Sequence, residues 1–177
     1  MAHIGVIQAL NDAGVYFDMV AGTSIGSLIG LFHAAGFTPQ RMLELTRREL
    51  VPGWFWRLLP GRRQWFFLWM FRTEGWARKM RRYLGDCVLE QLFMPMYPVA
   101  VDLISGEPVV RDRGEAVRAV LESLNFPVAA LPIFRDGQAL VDGGVLVNVP
   151  AEVLRDRGCE LIVAVDIAAN LSRRYGE

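Results

Sequence analysis

The stretch that most constrains this chain is Gly22-Thr23-Ser24-Ile25-Gly26, a Gly-x-Ser-x-Gly pattern between two apolar runs. Residues 17–20 precede it and residues 28–32 follow it. This order predicts a strand, a tight turn that carries the serine, and a helix, which is the setting of a nucleophile elbow. Glycines on both sides let the backbone turn sharply without a clash at Cβ. The free amides and the dipole at the start of the helix favour negative charge beside the serine.

Composition narrows the class of protein. A chain of 177 residues with 53% hydrophobic residues predicts one domain with a sizeable core. Nineteen basic residues balance nineteen acidic ones, so no basic surface indicates nucleic acid. Two histidines and two distant cysteines, Cys87 and Cys159, indicate no metal, no disulfide framework and no cofactor. Without a recognisable signal peptide or an apolar run of about 18 residues, we expect a cytoplasmic protein, with peripheral membrane attachment left open.

Apolar segments alternate with helical patterns along the chain, which predicts an α/β layered fold with a largely parallel sheet. An Asp136-Gly137 pair between two apolar segments predicts a hairpin turn. The opening helix is followed directly by a strand, which suggests that an earlier strand is missing. The predicted strands are 15–21, 97–102, 108–110 and 161–165, and the predicted helices are 3–13, 25–35, 39–50, 76–84, 115–124 and 150–157.

Residues 54–76 differ from the rest of the chain, because they hold all five tryptophans together with several phenylalanines and arginines. Tryptophan and arginine together suit a membrane–water interface. The same residues also suit a helical insert or lid whose aromatic side chains are buried. Both interpretations stay open, and base stacking on nucleic acid is the least favoured third.

A serine hydroxyl needs a base to become a nucleophile, and the usual base is histidine. His33 follows Ser24 in the same predicted helix, which places it more than about 10 Å away. His3 lies at the start of the first helix, and neither histidine occupies the late loop that a Ser-His-Asp hydrolase uses. Packing or capping accounts better for both histidines.

Asp142 is the better candidate base, because it ends a predicted strand and precedes Gly143 and Gly144. The two glycines allow close approach of another backbone, and a partly desolvated carboxylate can act as a general base. The structural alternative is an aspartate that only caps a turn. Asp102, Asp136 and Asp166 also follow apolar runs, and we interpret the last two as structural.

The elbow at 22–26 together with Asp142-Gly143-Gly144 resembles the patatin-like phospholipase family, and within it the bacterial relatives of neuropathy target esterase. The likeness extends to Ala2-His3-Ile4-Gly5-Val6 and to the segments 98–107 and 140–150. It covers most of the chain apart from the insert at 54–76.

The resemblance implies a three-layer α/β/α fold with a mostly parallel sheet, formed by residues 1–177 as a single domain. It implies a Ser–Asp dyad that hydrolyses lipid acyl esters of the phospholipase, lysophospholipase or carboxylesterase type. Ser24 would be the nucleophile, Asp142 the base and the Ile25 amide an oxyanion donor, with Gly22, Gly26, Gly143 and Gly144 supporting them. The partner implied is a lipid or lysophospholipid, while the oligomeric state is left open.

Two departures from the family pattern matter. The family carries a strand and a glycine-rich loop just before the Ala-His-Ile-Gly segment, and this sequence starts after that point, which predicts a partial domain. Two explanations stay open: Met1 is an internal methionine of a longer gene, or the chain is a truncated copy. Because that loop supplies oxyanion amides, a catalytically weak or inactive lipid- or protein-binding module is the rival hypothesis. In addition, residues 120–128 replace a shorter turn of the form Ser-x-x-Pro-Gly and lack its glycine.

Overall fold

The structure, a computed structural model, describes residues 2–50, 75–127 and 130–167. Within these ranges the helices are α1 (Ala2–Asp12), α2 (Ile25–Ala34), α3 (Pro39–Leu50), α4 (Gly75–Leu84), α5 (Ala116–Leu124) and α6 (Ala151–Arg155). The strands are β1 (Val20–Thr23), β2 (Met96–Asp102), β3 (Pro108–Val110), β4 (Ile133–Arg135) and β5 (Gln138–Asp142). Short 3₁₀ turns cover Leu89–Gln91 and Gly143–Val145. The α/β class predicted from the sequence is confirmed.

The sheet is mixed, with the order β1-β2-β5-β4 and with β3 also paired to β2. Only β1 and β2 run parallel among these described strands, so the prediction of a mostly parallel sheet is wrong. The reason is the length of the connections. The β2–β3 and β4–β5 turns return the chain at once beside the strand it has just left, which gives antiparallel pairs.

The predicted hairpin at Asp136-Gly137 is confirmed. Arg135 pairs with Gln138, and the two residues between them both have positive φ, 51° for Asp136 and 78° for Gly137. Two consecutive residues in this conformation form the turn whose twist matches that of a hairpin. The turn therefore delivers β5, and the aspartate at its end, back against β2.

Helices α2 and α5 lie side by side and pack against the sheet. Their apolar side chains form the centre of the core, and Leu31, Val117 and Val120 are fully buried. Trp76 in α4 is only 5% exposed and joins this core, so it does not form part of a membrane contact. The remainder of the tryptophan-rich stretch, 54–74, lies outside the described residues.

The predicted strand at 161–165 is wrong. This segment has no regular secondary structure, and Leu161 and Val163 are 82% and 46% exposed. Asp166, which we placed at the end of that strand, instead accepts a long hydrogen bond from Asn148 Nδ2 at 3.3 Å. The segment shares with β1 the walls of a cavity of about 570 Å³, and it pairs with none of the described strands. High hydropathy alone does not form a strand without a neighbouring edge.

Asp102 at the end of β2 is a structural carboxylate, and we expect its contribution to the free energy of unfolding to depend on pH. It accepts hydrogen bonds from the Ala139, Ile104 and Ser105 amides and from Ser105 Oγ. These bonds, the Ala139 amide first, hold the pKa of Asp102 at about 2. Because an unfolded aspartate titrates near 3.9, the stabilisation is present above about pH 4 and is lost as the pH falls through 2.

We therefore expect Asp102→Asn to lower the free energy of unfolding at pH 7. The gap between wild type and variant should narrow below about pH 4, as wild-type Asp102 loses its advantage. Urea unfolding at pH 7, 4 and 3 measures the gap. A difference that stays constant with pH would show that the charge of Asp102 is unimportant.

Candidate active site

Ser24 lies in the turn between β1 and α2 with an unusual backbone conformation. Its φ is 54° and its ψ is −126°, a region that non-glycine residues rarely adopt and that costs roughly 1–3 kcal/mol. This is the strained turn expected of a nucleophile elbow. Ser24 Oγ donates a 2.6 Å hydrogen bond to Asp142 Oδ2. The structure thus brings together two residues that are 118 positions apart in sequence.

Strand β2 is the reason that these two residues meet. The end of β1 pairs with it at Thr23 opposite Val99, and the end of β5 pairs with it at Asp142 opposite Ala100. The C-terminal ends of β1 and β5 therefore lie beside neighbouring residues of β2. The partners of the serine and of the aspartate are set by sheet register rather than by sequence distance.

The Asp142 carboxylate is oriented by a second hydrogen bond and is 5% exposed. Its Oδ1 accepts from the Gly144 amide at 2.8 Å, which leaves Oδ2 directed to Ser24. Its backbone amide donates to the Asn125 carbonyl at 2.9 Å. The carboxylate is held at one atom and presented to the hydroxyl with the other, which is the arrangement required of a general base.

Two of the four glycines predicted to support the site, Gly22 and Gly143, are required by space, and a third, Gly144, leaves little room for a side chain. A Cβ on Gly22 would lie 2.6 Å from the backbone of Gly26 and Ser27, and one on Gly143 would collide with the Val99 carbonyl oxygen. A Cβ on Gly144 would be 3.1 Å from Asp142 Oδ1. Glycine at these positions permits the close approach of elbow, sheet and base.

Gly26 has room for a side chain, so the prediction that both glycines of the pattern are needed for the turn is wrong. It lies in the first turn of α2, and its φ is not positive. A Cβ there would meet only His3 Nε2 at 3.7 Å, an ordinary contact. The second glycine of the pattern is thus not needed for the turn. Only the first, Gly22, makes room for the crossing of strand and helix.

The start of α2 offers amide groups beside the serine. The first N–H groups of an α-helix have no acceptor within the helix, and Ile25 is the first residue of α2. The helix dipole adds partial positive charge at the same point. A negative oxygen that forms near Ser24 Oγ would be stabilised there.

Neither histidine is the partner of Ser24 Oγ. His33 in α2 packs edge-on against Phe17, with ring centroids 5.7 Å apart. His3 in α1 lies beside Gly26 and lines the cavity at β1. Burial lowers the pKa of both imidazoles, which favours their neutral forms. Ser24 Oγ donates to a carboxylate instead, and the role of Asp142 as the base stays a prediction.

A second hydrogen-bonded serine–aspartate pair shows what distinguishes the first. Ser105 Oγ donates to Asp102 Oδ2 at 2.9 Å in the exposed turn after β2. Ser105 has no positive φ, and its turn is not followed directly by an α-helix. The Asp102 carboxylate also has three backbone amides, and its pKa of about 2 makes it a poor proton acceptor. The elbow, rather than the pairing alone, sets Ser24 apart.

The sequence analysis missed Ser123 and Asn125. Ser123 Oγ accepts from the Ser24 amide at 2.9 Å, and the Asn125 carbonyl accepts from the Asp142 amide. Their neighbour Glu122 is completely buried. The available signal was the spacing within α5, since Ser123 falls three residues after Val120, on the apolar face of this helix. A buried polar side chain is nearly always hydrogen-bonded, so this position predicts a hydrogen bond from Ser123 to another part of the chain.

Among the described residues, no group of three or more His, Cys, Asp or Glu side chains is placed to hold a metal ion. In the same parts of the chain, no helix has the length and apolar character needed to cross a membrane.

Comparison with known proteins decides the family. A family model described as patatin-like phospholipase matches residues 1–155. The chain belongs to the patatin-like phospholipase family. The mouse protein patatin-like phospholipase domain-containing protein 6 is 32% identical over 179 residues, which cover 95% of this chain and 12% of the mouse protein. An uncharacterized NTE family protein of Mycobacterium bovis is 33% identical over 94% of this chain and 45% of its own length.

A fungal relative extends the comparison. Lysophospholipase NTE1 of Eremothecium gossypii is 28% identical over 96% of this chain and 11% of its own length. This patatin-like phospholipase family member thus spans less than half the length of each of these three relatives. The family and the α/β fold expected from the elbow and the Asp-Gly-Gly segment are confirmed. The roles of Ser24, Asp142 and Ile25 in a reaction stay predictions.

Proposed function

We propose that this chain is a lipid acyl hydrolase that uses Ser24 as nucleophile and Asp142 as general base. The observation that carries the proposal is the 2.6 Å hydrogen bond between Ser24 Oγ, on a strained elbow, and Asp142 Oδ2. The named activities of the relatives, phospholipase and lysophospholipase, support the reaction class.

In the first half of the proposed reaction, Ser24 Oγ attacks the carbonyl carbon of the ester while its proton passes to Asp142 Oδ2. The carbonyl oxygen becomes negative and is stabilised at the start of α2, with the Ile25 amide as one donor. The C–O bond to the alcohol then breaks, and the alcohol leaves with the proton that Asp142 held. An acyl group remains on Ser24.

In the second half, water replaces the alcohol. Asp142 takes a proton from the water, whose oxygen attacks the acyl carbonyl carbon. The Ser24–acyl bond breaks, Ser24 recovers its proton from Asp142, and the carboxylic acid departs. In each half of the reaction, the carboxylate thus acts as base during the attack and as acid when the C–O bond breaks.

A lipid substrate is supported by apolar side chains near the base. Phe126 and Leu146 are 52% and 57% exposed, and Val145 beside Leu146 is also exposed. Phe126 follows Asn125, which bonds the Asp142 backbone, and the other two follow the Asp-Gly-Gly turn. Exposed apolar groups beside a reactive centre suit acyl chains. The stretch 54–74 remains a proposed lid or membrane-contact element.

Labelling with a fluorophosphonate tests the nucleophile. The full chain should be labelled at Ser24, because the probe reacts with an activated serine, while exposed Ser105 should stay unlabelled. Ser24→Ala should lose both labelling and ester hydrolysis to background, and Ser105→Ala is the matched control that should keep both. Silence in a folded wild-type chain would favour the non-catalytic binding module.

Measured rates of ester hydrolysis test the substrate class. Turnover of lysophosphatidylcholine should be higher in micelles than for a short-chain ester present as monomers. Equal turnover of the two at matched concentration would contradict a lipid substrate and leave a general esterase.

A further inference from the structure

The C-terminal end of α5 contacts both members of the proposed dyad. Ser123 is fully buried and accepts a 2.9 Å hydrogen bond from the backbone amide of Ser24. Two residues later, the Asn125 carbonyl accepts a 2.9 Å hydrogen bond from the backbone amide of Asp142. One short segment, residues 122–125, therefore holds the nucleophile and the base. We call it the α5 bracket.

Ser123 makes two hydrogen bonds that tie the elbow to the sheet. Its Oγ accepts from the Ser24 amide and donates at 2.6 Å to the Val99 carbonyl oxygen in β2. A serine hydroxyl has a single hydrogen, and that of Ser123 is directed to Val99. The lone pairs of Ser123 Oγ are thus free to accept from the Ser24 amide. The backbone of Ser24, with φ at 54°, is held in its uncommon conformation by this contact from outside the elbow.

Asn125 holds the other side of the site. Its side-chain amide donates to the Leu140 and Leu131 carbonyl oxygens, each at 3.0 Å, and the residue is 4% exposed. Together with the bond from the Asp142 amide, these contacts attach the end of β5 to α5. The spacing between Ser24 and Asp142 is thereby set by a common support.

Glu122 anchors the bracket. Its carboxylate is completely buried and accepts hydrogen bonds from Arg111 Nε at 2.8 Å and Arg135 Nη1 at 2.9 Å. Arg111 directly follows β3, and Arg135 is the last residue of β4, the first strand of the hairpin that leads to Asp142. Charge-assisted bonds of this kind are directional and resist displacement, so the helix end is fixed to the strands around it.

We propose that Ser123 is a positioning residue of the hydrolysis reaction: its hydroxyl holds the Ser24 backbone so that Oγ faces Asp142 and the Ile25 amide faces the developing oxyanion. This inference rests on the proposed function. Ser123 does not touch the reacting atoms and acts through Ser24. Loss of its hydroxyl lets the elbow relax, which changes the alignment in the transition state more than the binding of the ester.

The test compares Ser123→Ala with Ser27→Ala in the full chain. Ser27 is also fully buried, and its Oγ donates at 2.6 Å to the Ser24 carbonyl, an oxygen that the Ser27 and Leu28 amides also reach. Both substitutions remove one buried hydroxyl beside Ser24, but only Ser123→Ala leaves the Ser24 amide without its acceptor. Thermal unfolding is measured for each variant as a control that it is folded at the assay temperature.

We expect Ser123→Ala to lower kcat and the rate of fluorophosphonate labelling by about 10- to 100-fold while KM changes little. Ser27→Ala should change either quantity by less than about threefold. Ser123→Thr, which restores the hydroxyl, should recover a large part of the labelling rate, and Ser123→Cys serves if the alanine variant does not fold.

Equal labelling rates for wild type and folded Ser123→Ala would overturn the proposal, as would a loss confined to KM. Failure of the underlying function has a different signature. In that case Ser24→Ala keeps the activity of the wild type, or wild type itself is neither labelled nor active, whatever residue stands at 123.

Discussion

Asp142→Asn is expected to lower kcat/KM for ester hydrolysis by about 100- to 10 000-fold, the range that loss of a general base produces. Asparagine has nearly the same shape as aspartate, and its oxygen can still accept from the Gly144 amide, as Asp142 Oδ1 does at 2.8 Å. An amide group, however, cannot take the proton of Ser24 Oγ. The variant should therefore stay folded and lose the chemical step.

Asp136→Asn provides the matched control for this change. Asp136 lies at the exposed tip of the β4–β5 hairpin, and asparagine tolerates its positive φ well. Its hydrolysis rate and its thermal unfolding should match those of wild type. If Asp142→Asn retained more than a tenth of wild-type kcat/KM, the carboxylate would not be the base, and the dyad proposal would fall.

The second large effect concerns stability, and it separates the two glycines of the Gly-x-Ser-x-Gly pattern. Gly22→Ala should lower the free energy of unfolding by about 1–3 kcal/mol or more, because its Cβ would lie 2.6 Å from backbone atoms that cannot rotate away. Gly26→Ala should be neutral or stabilising by up to about 1 kcal/mol, because alanine is favoured within a helix. Urea unfolding of the two variants measures the difference.

Gly26→Ala is itself the control, since it adds the same methyl group four residues away in the same motif. Its labelling rate at Ser24 should also remain close to that of wild type. Equal destabilisation by the two substitutions would mean that the tight crossing of β1 and α2 at Gly22 is not a packing constraint.

Local patterns predicted the elements whose causes are local. The Asp136-Gly137 turn needs only two residues that tolerate positive φ, and the structure has both of them in that conformation. The elbow likewise follows from a strand, a serine and a helix in sequence. These features depend on a few neighbouring residues, so the sequence predicted them well.

Features that depend on distant partners were predicted less well. Residues 161–165 have the hydropathy of a buried strand, yet they pair with none of the described strands and instead line a cavity beside β1. The mixed direction of the sheet depends on which strand each turn leads to. Ser123 reads as one polar residue on an apolar helix face, and only the fold shows that Ser24 is its donor. Hydropathy does not identify a partner that lies far away along the chain.

The α5 bracket also has a consequence for motion. The amides of Ser24 and Asp142 both donate to residues of the same helix end, Ser123 and Asn125. If that end of the helix opens, both amides lose their acceptors in one event, so their hydrogen exchange with solvent would be coupled. The nucleophile and the base would then lose and regain their positions together in one opening event, rather than one at a time.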